Sequence, residues 1–249
     1  MWTNFIAIIG AVGFLAAGYY RPRFRQRLLR EGLAADLLHA LVNGVLLDIA
    51  LAFLLRSVAL GLAQVIDGHW LRVLPDAPLW QQALVLVVAG DLLKWLTHRL
   101  QHAIPLLWRL HRLHHSSQEL DALSHARSHP LESLINRLPF LTIFVLVLGI
   151  DVRLIAVFST IDLLQGLWAH SNTHVRLGRV NYLFATQEFH HWHHADDPRA
   201  IDKNFGGFLS IWDWIFGTAY CPPDGTIQRF GLADTKSPRT YTDHVRLRF

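Results

Sequence analysis

Cysteine, methionine, lysine and charged residues in general are scarce in this 249-residue sequence. Its one cysteine, Cys221, excludes internal disulfides, cysteine-ligated zinc modules and iron–sulfur clusters, because each of these needs several thiolates. Charged residues make up 17% of the chain, against about 25% in soluble domains, while 52% of the residues are hydrophobic. The net charge of +4 comes mostly from arginine and does not form a nucleic-acid footprint. We therefore expect a lipid bilayer, and no nucleic acid, as a partner.

Five apolar runs predict membrane helices. Residues 2–20 carry no charge and would extend about 28 Å as a helix, close to the roughly 30 Å hydrocarbon core. A cleaved signal peptide is the alternative, but the basic cluster follows this run instead of preceding it. The last two runs are separated only by Asp151 and Arg153, which predicts a hairpin that crosses the bilayer fully or partway. The other four runs are 37–60, 79–97, 138–150 and 152–169.

The arginines predict the direction of the chain in the membrane. Five of them lie between residues 21 and 30, directly after the first run, and positive charge near the end of a span stays on the cytoplasmic side. The N-terminus is then outside, and residues 98–129 and 170–194 are cytoplasmic. From residue 171 onward the polar sequence predicts a cap of short helices and loops. We expect one domain over 1–249, with N-terminal membrane helices (1–66), a histidine-rich core (79–218) and a C-terminal cytosolic tail (219–249).

Histidine is the residue that this sequence has in excess, with sixteen copies. Thirteen lie in the two windows 98–129 and 170–194, and most are spaced three or four apart. Residues at these spacings share one face of a helix, so their imidazoles can reach a common metal. The predicted metal ligands are His98, His102, His111, His114, His115, His170, His174, His190, His193 and His194, with His191 as an alternative to His190. The isolated His39, His69 and His244 are interpreted as hydrogen-bonded structural residues.

Ten ligands are too many for one ion. Two tetrahedral zinc ions would use eight histidines and leave no open position, whereas two five- or six-coordinate irons could use all ten and still bind O2. Ligand type alone does not select iron, because imidazole also suits zinc, copper and nickel. The absence of an HExxH motif argues against a zincin protease. The soluble carboxylate di-iron bundle is also disfavoured, since only Glu188 and His191 form a Glu-x-x-His pair.

Histidine ligands usually donate their second ring nitrogen to a carboxylate or carbonyl oxygen, which fixes the ring. Asp91 lies two turns before His98 inside a predicted span, where an acid is costly and usually functional. The alternative for Asp91 is a salt bridge with Lys94 or a packing contact between helices. The predicted supporting residues around the metal ligands are Asp91, Asp121, His129, Glu132, Asp162, Asn204 and Asp213, and His125 is grouped with them as a supporting or packing residue.

The chain resembles the fatty acid hydroxylase/sterol desaturase superfamily of membrane di-iron oxygenases. The resemblance extends from about Trp95 to Thr218, through HRLQH, LWRLHRLHHS, RSHPLE, HSNTH, HHWHH, NFG and WDWIFGT. The segment from LWRLHRLHHS to RSHPLE is most similar to the alkylglycerol monooxygenase-like and bacterial sterol desaturase-like branches. The resemblance implies an all-α integral membrane protein, with four to five membrane helices in hairpins and a cytosolic helical cap that holds a polyhistidine dimetal site.

The resemblance also implies a reaction. Two iron ions at the ten histidines, with zinc as a replacement in a purified sample, would use O2 and external electrons to hydroxylate or desaturate a fatty acyl, alkylglycerol, sterol or carotenoid substrate. No histidine-proline-glycine-glycine haem motif is present, so we expect a separate electron-transfer protein of the ferredoxin, cytochrome b5 or reductase type. Two other functions remain open at this point: a zinc-dependent membrane lipid hydrolase, and a metal or pH sensor without catalysis.

Overall fold

The computed structural model describes residues 2–27, 29–65, 73–233 and 240–248. Within these ranges the regular structure is helical, and β pairing is limited to three isolated bridges. The predicted all-α fold is therefore confirmed. The α-helices are α1 (Trp2–Tyr20), α2 (Leu33–Leu41), α3 (Leu47–Val65), α4 (Leu79–Ala103), α5 (Pro105–His111), α6 (Pro130–Leu141), α7 (Val152–His170), α8 (Gln187–His193), α9 (Ile211–Ile215) and α10 (Tyr241–Val245).

Four helices are long and apolar enough to cross a membrane, which confirms the prediction of four to five membrane helices. The first of them runs continuously over Leu33–Gly61, because the π-helical segment Val42–Leu46 joins α2 to α3. The others are α4, the segment Pro130–Val147, and α7. Helix α1 has the predicted bounds, while its crossing of the bilayer, the sidedness of the chain and the domain boundaries stay predictions. Most of the loop between α3 and α4, with His69, lies outside the described residues.

The membrane helix that contains α6 starts earlier than the apolar run 138–150 indicates. Helix α6 begins at Pro130 and continues through a π-helical segment to Val147, which makes an 18-residue span. His129 and Glu132 form a reciprocal capping box at its start, and Pro130 occupies the first turn, where its missing N–H is not needed. The predicted start at residue 138 is wrong because the polar side chain of Glu132 is buried against protein inside the helix bundle.

Apolar side chains from α4, α6 and α7 form the core of the membrane region. Phe140 stacks on Phe144 and Phe158, with ring centroids 4.8 and 5.5 Å apart. Gly90 of α4 lets this aromatic group approach, since a Cβ there would lie 3.1 Å from the Phe140 ring. Asp151 accepts a hydrogen bond from the backbone N–H of Arg153 and caps α7, so the hairpin turns where the charged pair predicts.

The polar half of the chain forms a cap over the ends of α4 and α7. Every residue of α8 is buried, and Trp192 of this helix packs with Leu120, Ile227 and Phe230 in a second apolar core. The C-terminal helix α10 packs on α2. The packing includes a 2.9 Å hydrogen bond between His39 Nε2 and His244 Nδ1, which confirms the structural interpretation of these two histidines.

Candidate metal centre

Nine of the ten predicted ligands come together in two groups at the junction of the membrane helices and the cap. In each group one ring nitrogen from every histidine lies within 4.8 Å of the others. We call these groups site A and site B. Site A contains five histidines and site B four: His98, His102, His111, His115 and His193 in site A, and His114, His170, His190 and His194 in site B.

Helix ends bring these histidines together. His98 and His102 lie on successive turns at the end of α4, and His170 is the last residue of α7. Extended backbone at Ile104 and the proline that follows it end α4 and start α5, which turns the chain so that His111 faces His98. The Nε2 atoms of His98 and His111 are 3.1 Å apart. Helix α8 adds the remaining ligands from the cap.

Each i, i+3, i+4 triplet divides between the two sites. His111 and His115, four residues apart, belong to site A, whereas His114 belongs to site B. In the second triplet His193 joins site A, while the other two histidines join site B. Each triplet therefore supplies two ligands to one site and one ligand to the other. The two flanking residues share a face closely enough for one ion, and the third ring points to the neighbouring site.

Backbone carbonyl groups fix the tautomers of two histidines in site B. His114 Nδ1 donates to the carbonyl of Arg127 at 3.0 Å, and His170 Nδ1 donates to the carbonyl of Gly166 at 2.9 Å. A carbonyl oxygen can only accept, so the proton of each neutral ring is on Nδ1 and the Nε2 lone pair is free. These two Nε2 atoms nevertheless lie 3.1 Å apart. Two facing lone pairs cannot hydrogen-bond each other, and a cation between them removes the conflict.

Burial keeps these rings neutral. It lowers the pKa of His114 to about 3, and with the neighbouring rings it lowers the pKa values of His111, His115 and His193 well below the usual value. The same holds for His190 and His194. Neutral imidazole is the form that binds a metal. The donor set therefore suits metal ions at ordinary pH.

The nitrogen spacing also fits metal ions. Two nitrogens at 2.0–2.1 Å from one ion, in tetrahedral or right-angled arrangement, lie about 2.8–3.4 Å apart. Neighbouring Nε2 atoms are 3.1–3.2 Å apart in site A and 3.1 Å apart in site B. In site A, Nε2 of His102 and Nε2 of His193 are buried and have no hydrogen-bond partner among the described residues. These atoms are positioned to bind a metal.

Two carboxylates contact the histidines of site A directly. Glu132 Oε1 lies 2.7 Å from His111 Nδ1, and both side chains are buried. Asp202 Oδ1 lies 3.1 Å from His102 Nδ1, although its own side chain is 63% exposed. Glu132 was among the predicted supporting residues, whereas Asp202 was missed. The DPRAID segment that contains Asp202 has no periodicity that would connect it with His102.

Three other predicted supporting residues act through the loop between α8 and α9. Asp213 accepts hydrogen bonds from the backbone N–H groups of Phe205 and Gly206, and Asn204 is hydrogen-bonded to the backbone on both sides of this loop. Asp91 holds the next residues of the loop through the N–H groups of Phe208 and Leu209. In consequence the loop presents carbonyl groups to the ligands: Phe205 O accepts from His98 Nδ1 at 2.9 Å, and Lys203 O accepts from His193 Nδ1 at 2.7 Å.

The remaining supporting candidates lie farther from the ligands. Asp162 pairs with Lys94, and no salt bridge joins Asp91 to Lys94 among the described residues. Asp91 instead makes the alternative contact between helices, because it accepts a hydrogen bond from Trp212 Nε1 of α9 at 2.9 Å. Asp121 binds Arg30. His129 caps α6 and donates from Nε2 to the carbonyl of Val245. None of these three side chains has a hydrogen bond to a histidine of site A or site B within the described part of the chain.

His174 is the predicted ligand that the structure does not bring to either site. Helix α7 ends at His170, and the backbone of the next residue is extended, so the spacing of four does not place His174 one helical turn above His170. Its side chain is exposed. The prediction that the two share a helical face is wrong. His191 also lies outside both groups, since its Nδ1 accepts a hydrogen bond from Arg23 at 3.1 Å.

These features define a class of protein: a helical membrane protein with two adjacent polyhistidine sites at the ends of its membrane helices. A sequence profile described as fatty acid hydroxylase matches residues 83–218, more than half of the chain. The chain therefore belongs to the fatty acid hydroxylase family, as its motifs indicate.

Several characterised proteins are similar to the chain. Ornithine lipid hydroxylase OlsE of Rhizobium tropici is 28% identical over 79% of this chain and 60% of its own length. Human alkylglycerol monooxygenase is 32% identical over 49% of this chain and 26% of its own length. Rat methylsterol monooxygenase 1 is 32% identical over 53% of this chain and 44% of its own length. The matches thus cover at most 60% of these relatives, and no solved structure matches the chain significantly.

Proposed function

We propose that the chain is a membrane-bound di-iron oxygenase that uses O2 and external electrons to hydroxylate, or desaturate, an aliphatic C–H bond of a lipid-like substrate. The observation that carries this proposal is the pairing of two buried groups of neutral imidazoles whose lone pairs converge. Family membership and relatives named as lipid hydroxylases and monooxygenases support the reaction class.

Nine histidines would hold the two ions, with five ligands in site A and four in site B. Iron bound there would supply the oxidising chemistry for the C–H bond once O2 and two electrons arrive. In hydroxylation one oxygen atom enters the C–H bond, while the other leaves as water with two protons. Ligation by imidazole suits this use because neutral ligands tolerate a change in the charge of the metal.

The chain itself orients the ligands and excludes water. Carbonyl groups from three segments and the carboxylates of Glu132 and Asp202 fix the rings of six of the nine histidines through Nδ1. Both sites lie where α4 and α7 leave the proposed hydrocarbon region. A lipid chain would therefore approach them from the bilayer, between the two helices, while α8 covers the opposite side.

The proposal includes partners and a location. The substrate would be lipid-like, such as a fatty acyl, alkylglycerol, sterol or carotenoid compound, and a separate ferredoxin, cytochrome b5 or reductase would supply electrons. The N-terminus would be outside, with the histidine sites and the C-terminus on the cytoplasmic side. Zinc in place of iron in a purified sample would be explained by the same ligands.

Purification in detergent, followed by metal analysis and turnover of a membrane lipid extract under 18O2, tests this function. We expect two metal ions per chain and 18O in the product only with iron and a reductant. His114→Ala and His193→Ala remove one ligand from each site, and each should abolish turnover and lower the metal content. Product formation without O2 and reductant would instead indicate a hydrolase, and reversible metal exchange without O2 consumption would indicate a sensor.

A further inference from the structure

Three polar side chains lie together on the membrane side of the two metal sites. Lys94 of α4 and Asp162 of α7 form an ion pair between two membrane helices. His125, from the 3-10 helix Ala122–Ala126, lies beside site B, with its ring centroid 5.0 Å from that of His170. The ring of His125 also lies against Gly166 of α7, one turn after Asp162, since a Cβ at Gly166 would lie 2.2 Å from it. We call these three residues the polar triad.

Helical spacing places the ion pair directly below the ligands. Lys94 lies one turn before His98 on the same face of α4, about 6 Å along the axis. Asp162 lies eight residues, slightly more than two turns, before His170 on α7, about 12 Å along the axis. Because α4 supplies ligands to site A and α7 supplies one to site B, a chain that reaches both sites between these helices passes the polar triad.

The polar triad has hydrogen-bonding capacity that the protein does not use. The side chains of Lys94 and Asp162 are 31% and 32% exposed. They are hydrogen-bonded to each other, and neither side chain makes a second hydrogen bond among the described residues. At Gly207 no side chain covers the ammonium group, since a Cβ there would lie 3.6 Å from Nζ. His125 Nδ1 is buried without a hydrogen-bond partner in the described part of the chain.

A charged pair inside a membrane span is costly unless it has a use, and such residues commonly mark the route of a substrate. Resting on the proposed oxygenase function, we propose that Lys94, Asp162 and His125 bind a neutral polar group of the substrate that both donates and accepts a hydrogen bond, namely a hydroxyl or a secondary amide. The ammonium donates to its oxygen, and the carboxylate accepts its proton. An ester or ether can only accept, and a hydrocarbon does neither, so these groups would leave the polar triad partly unpaired.

This subsite also determines where oxidation occurs. The polar group would lie about 6–12 Å from the metal ligands along the helix axes, so the C–H bond that reacts is about five to ten C–C bonds from the hydroxyl or amide. Oxidation at the methyl end of a much longer chain is incompatible with this arrangement. The substrate class is therefore a lipid that carries a hydroxyl or an amide about five to ten bonds from the carbon that is oxidised.

Four probes of equal chain length test the subsite: a long-chain 1-alkanol, an N-alkylacetamide, an alkyl methyl ether and an alkane. Each is supplied in phosphatidylcholine nanodiscs to the iron-loaded protein under 18O2, and kcat, KM and the position of 18O are measured. We expect kcat/KM for the alcohol and the amide to exceed that for the ether and the alkane about 10- to 100-fold, as the loss of a hydrogen bond to a charged group implies. We expect 18O about five to ten C–C bonds from the polar group.

A double variant, Lys94→Met with Asp162→Leu, removes both charges together and leaves no lone buried charge. We expect the preference in kcat/KM for the alcohol and the amide over the ether and the alkane to fall to about threefold, mainly through a higher KM, while two metal ions remain bound. The exchanged pair, Lys94→Asp with Asp162→Lys, should keep the preference, because a hydroxyl can pair with either order. Asp48→Asn, which changes a partly exposed carboxylate in another membrane helix, is the matched control and should keep the wild-type preference.

Two results overturn the subsite alone. One is an equal preference of the wild type and the double variant for the alcohol and the amide over the ether and the alkane. The other is oxidation of the alcohol at its methyl end by the wild type, a measurement that does not depend on the folding of any variant. Absence of O2-dependent product from every probe and from a membrane lipid extract would instead refute the oxygenase function and the subsite with it.

Discussion

Glu132 provides a sharp test of how site A holds its metal. Its carboxylate lies 2.7 Å from His111 Nδ1, and its side chain is 4% exposed. Glu132→Gln keeps the shape of the side chain, but its single oxygen can accept from His129 N or from His111 Nδ1 and not from both. The substitution also removes the carboxylate that would balance a bound ion. Loss of such an outer partner typically lowers metal affinity 10- to 100-fold, which equals about 1.4–2.7 kcal/mol. We expect this loss at site A, while site B keeps its affinity.

The assay is metal analysis after dialysis against a series of chelator concentrations. The wild type should release both ions over a similar range, whereas Glu132→Gln should lose one ion first and retain the other. Asp202→Asn is the matched control, because Asp202 also contacts a ligand of site A but is largely exposed and screened by solvent. Its effect should be about threefold or less. Equal release of both ions from Glu132→Gln, or wild-type retention at both sites, would contradict this reasoning.

Three further predictions concern stability. Burial lowers the pKa of His114 to about 3, so the unfolded chain binds this proton more tightly than the folded chain does. As the pH falls below about 6.5, the free energy of unfolding of the metal-free protein should therefore fall by about 1.4 kcal/mol per pH unit for this residue, as measured by urea unfolding. Gly166→Ala places a Cβ 2.2 Å from the His125 ring and should lower the free energy of unfolding by about 1–3 kcal/mol. Adding His125→Ala should remove this clash and restore the melting temperature. Asp36→Asn breaks the buried pair with Arg127 and should cost about 3–5 kcal/mol by thermal unfolding, with full stability in this variant as the contrary result.

Local spacing predicted the residues that a single helix face brings together. His98 and His102 lie on one face of α4 and within site A. His111 and His115 also share site A, although α5 ends at His111 and His115 belongs to the 3-10 helix His114–Ser116. The prediction for His174 used the same rule and is wrong, because α7 ends at His170. The spacing of four therefore locates ligands where the backbone between them keeps right-handed helical angles, as at Arg112 and Leu113, and fails at Ser171, where it does not. The sequence around residue 171 contains no proline or glycine that marks the end of α7.

Contacts that depend on the folded backbone could not be predicted. Four of the acceptors that orient the histidines are carbonyl groups, which carry no residue-specific signal: those of Arg127, Gly166, Lys203 and Phe205. The acids Asp91 and Asp213 were predicted as direct supports because of their place in the sequence, and the structure shows that they act on the loop instead. Side-chain chemistry indicates which residues are available, whereas the fold decides which backbone atoms they meet.

The metal centre depends on a part of the chain outside the segment that the family profile matches. Asp36 of α2 holds Arg127 through two hydrogen bonds of 2.6 and 3.0 Å, and Arg30 pairs with the same carboxylate. The carbonyl of Arg127 accepts the Nδ1 proton of His114 in site B. A shift of α2 would therefore reach site B through two buried contacts. Since residues 30–36 precede the matched segment 83–218, this support for site B comes from outside the segment that shows the family membership.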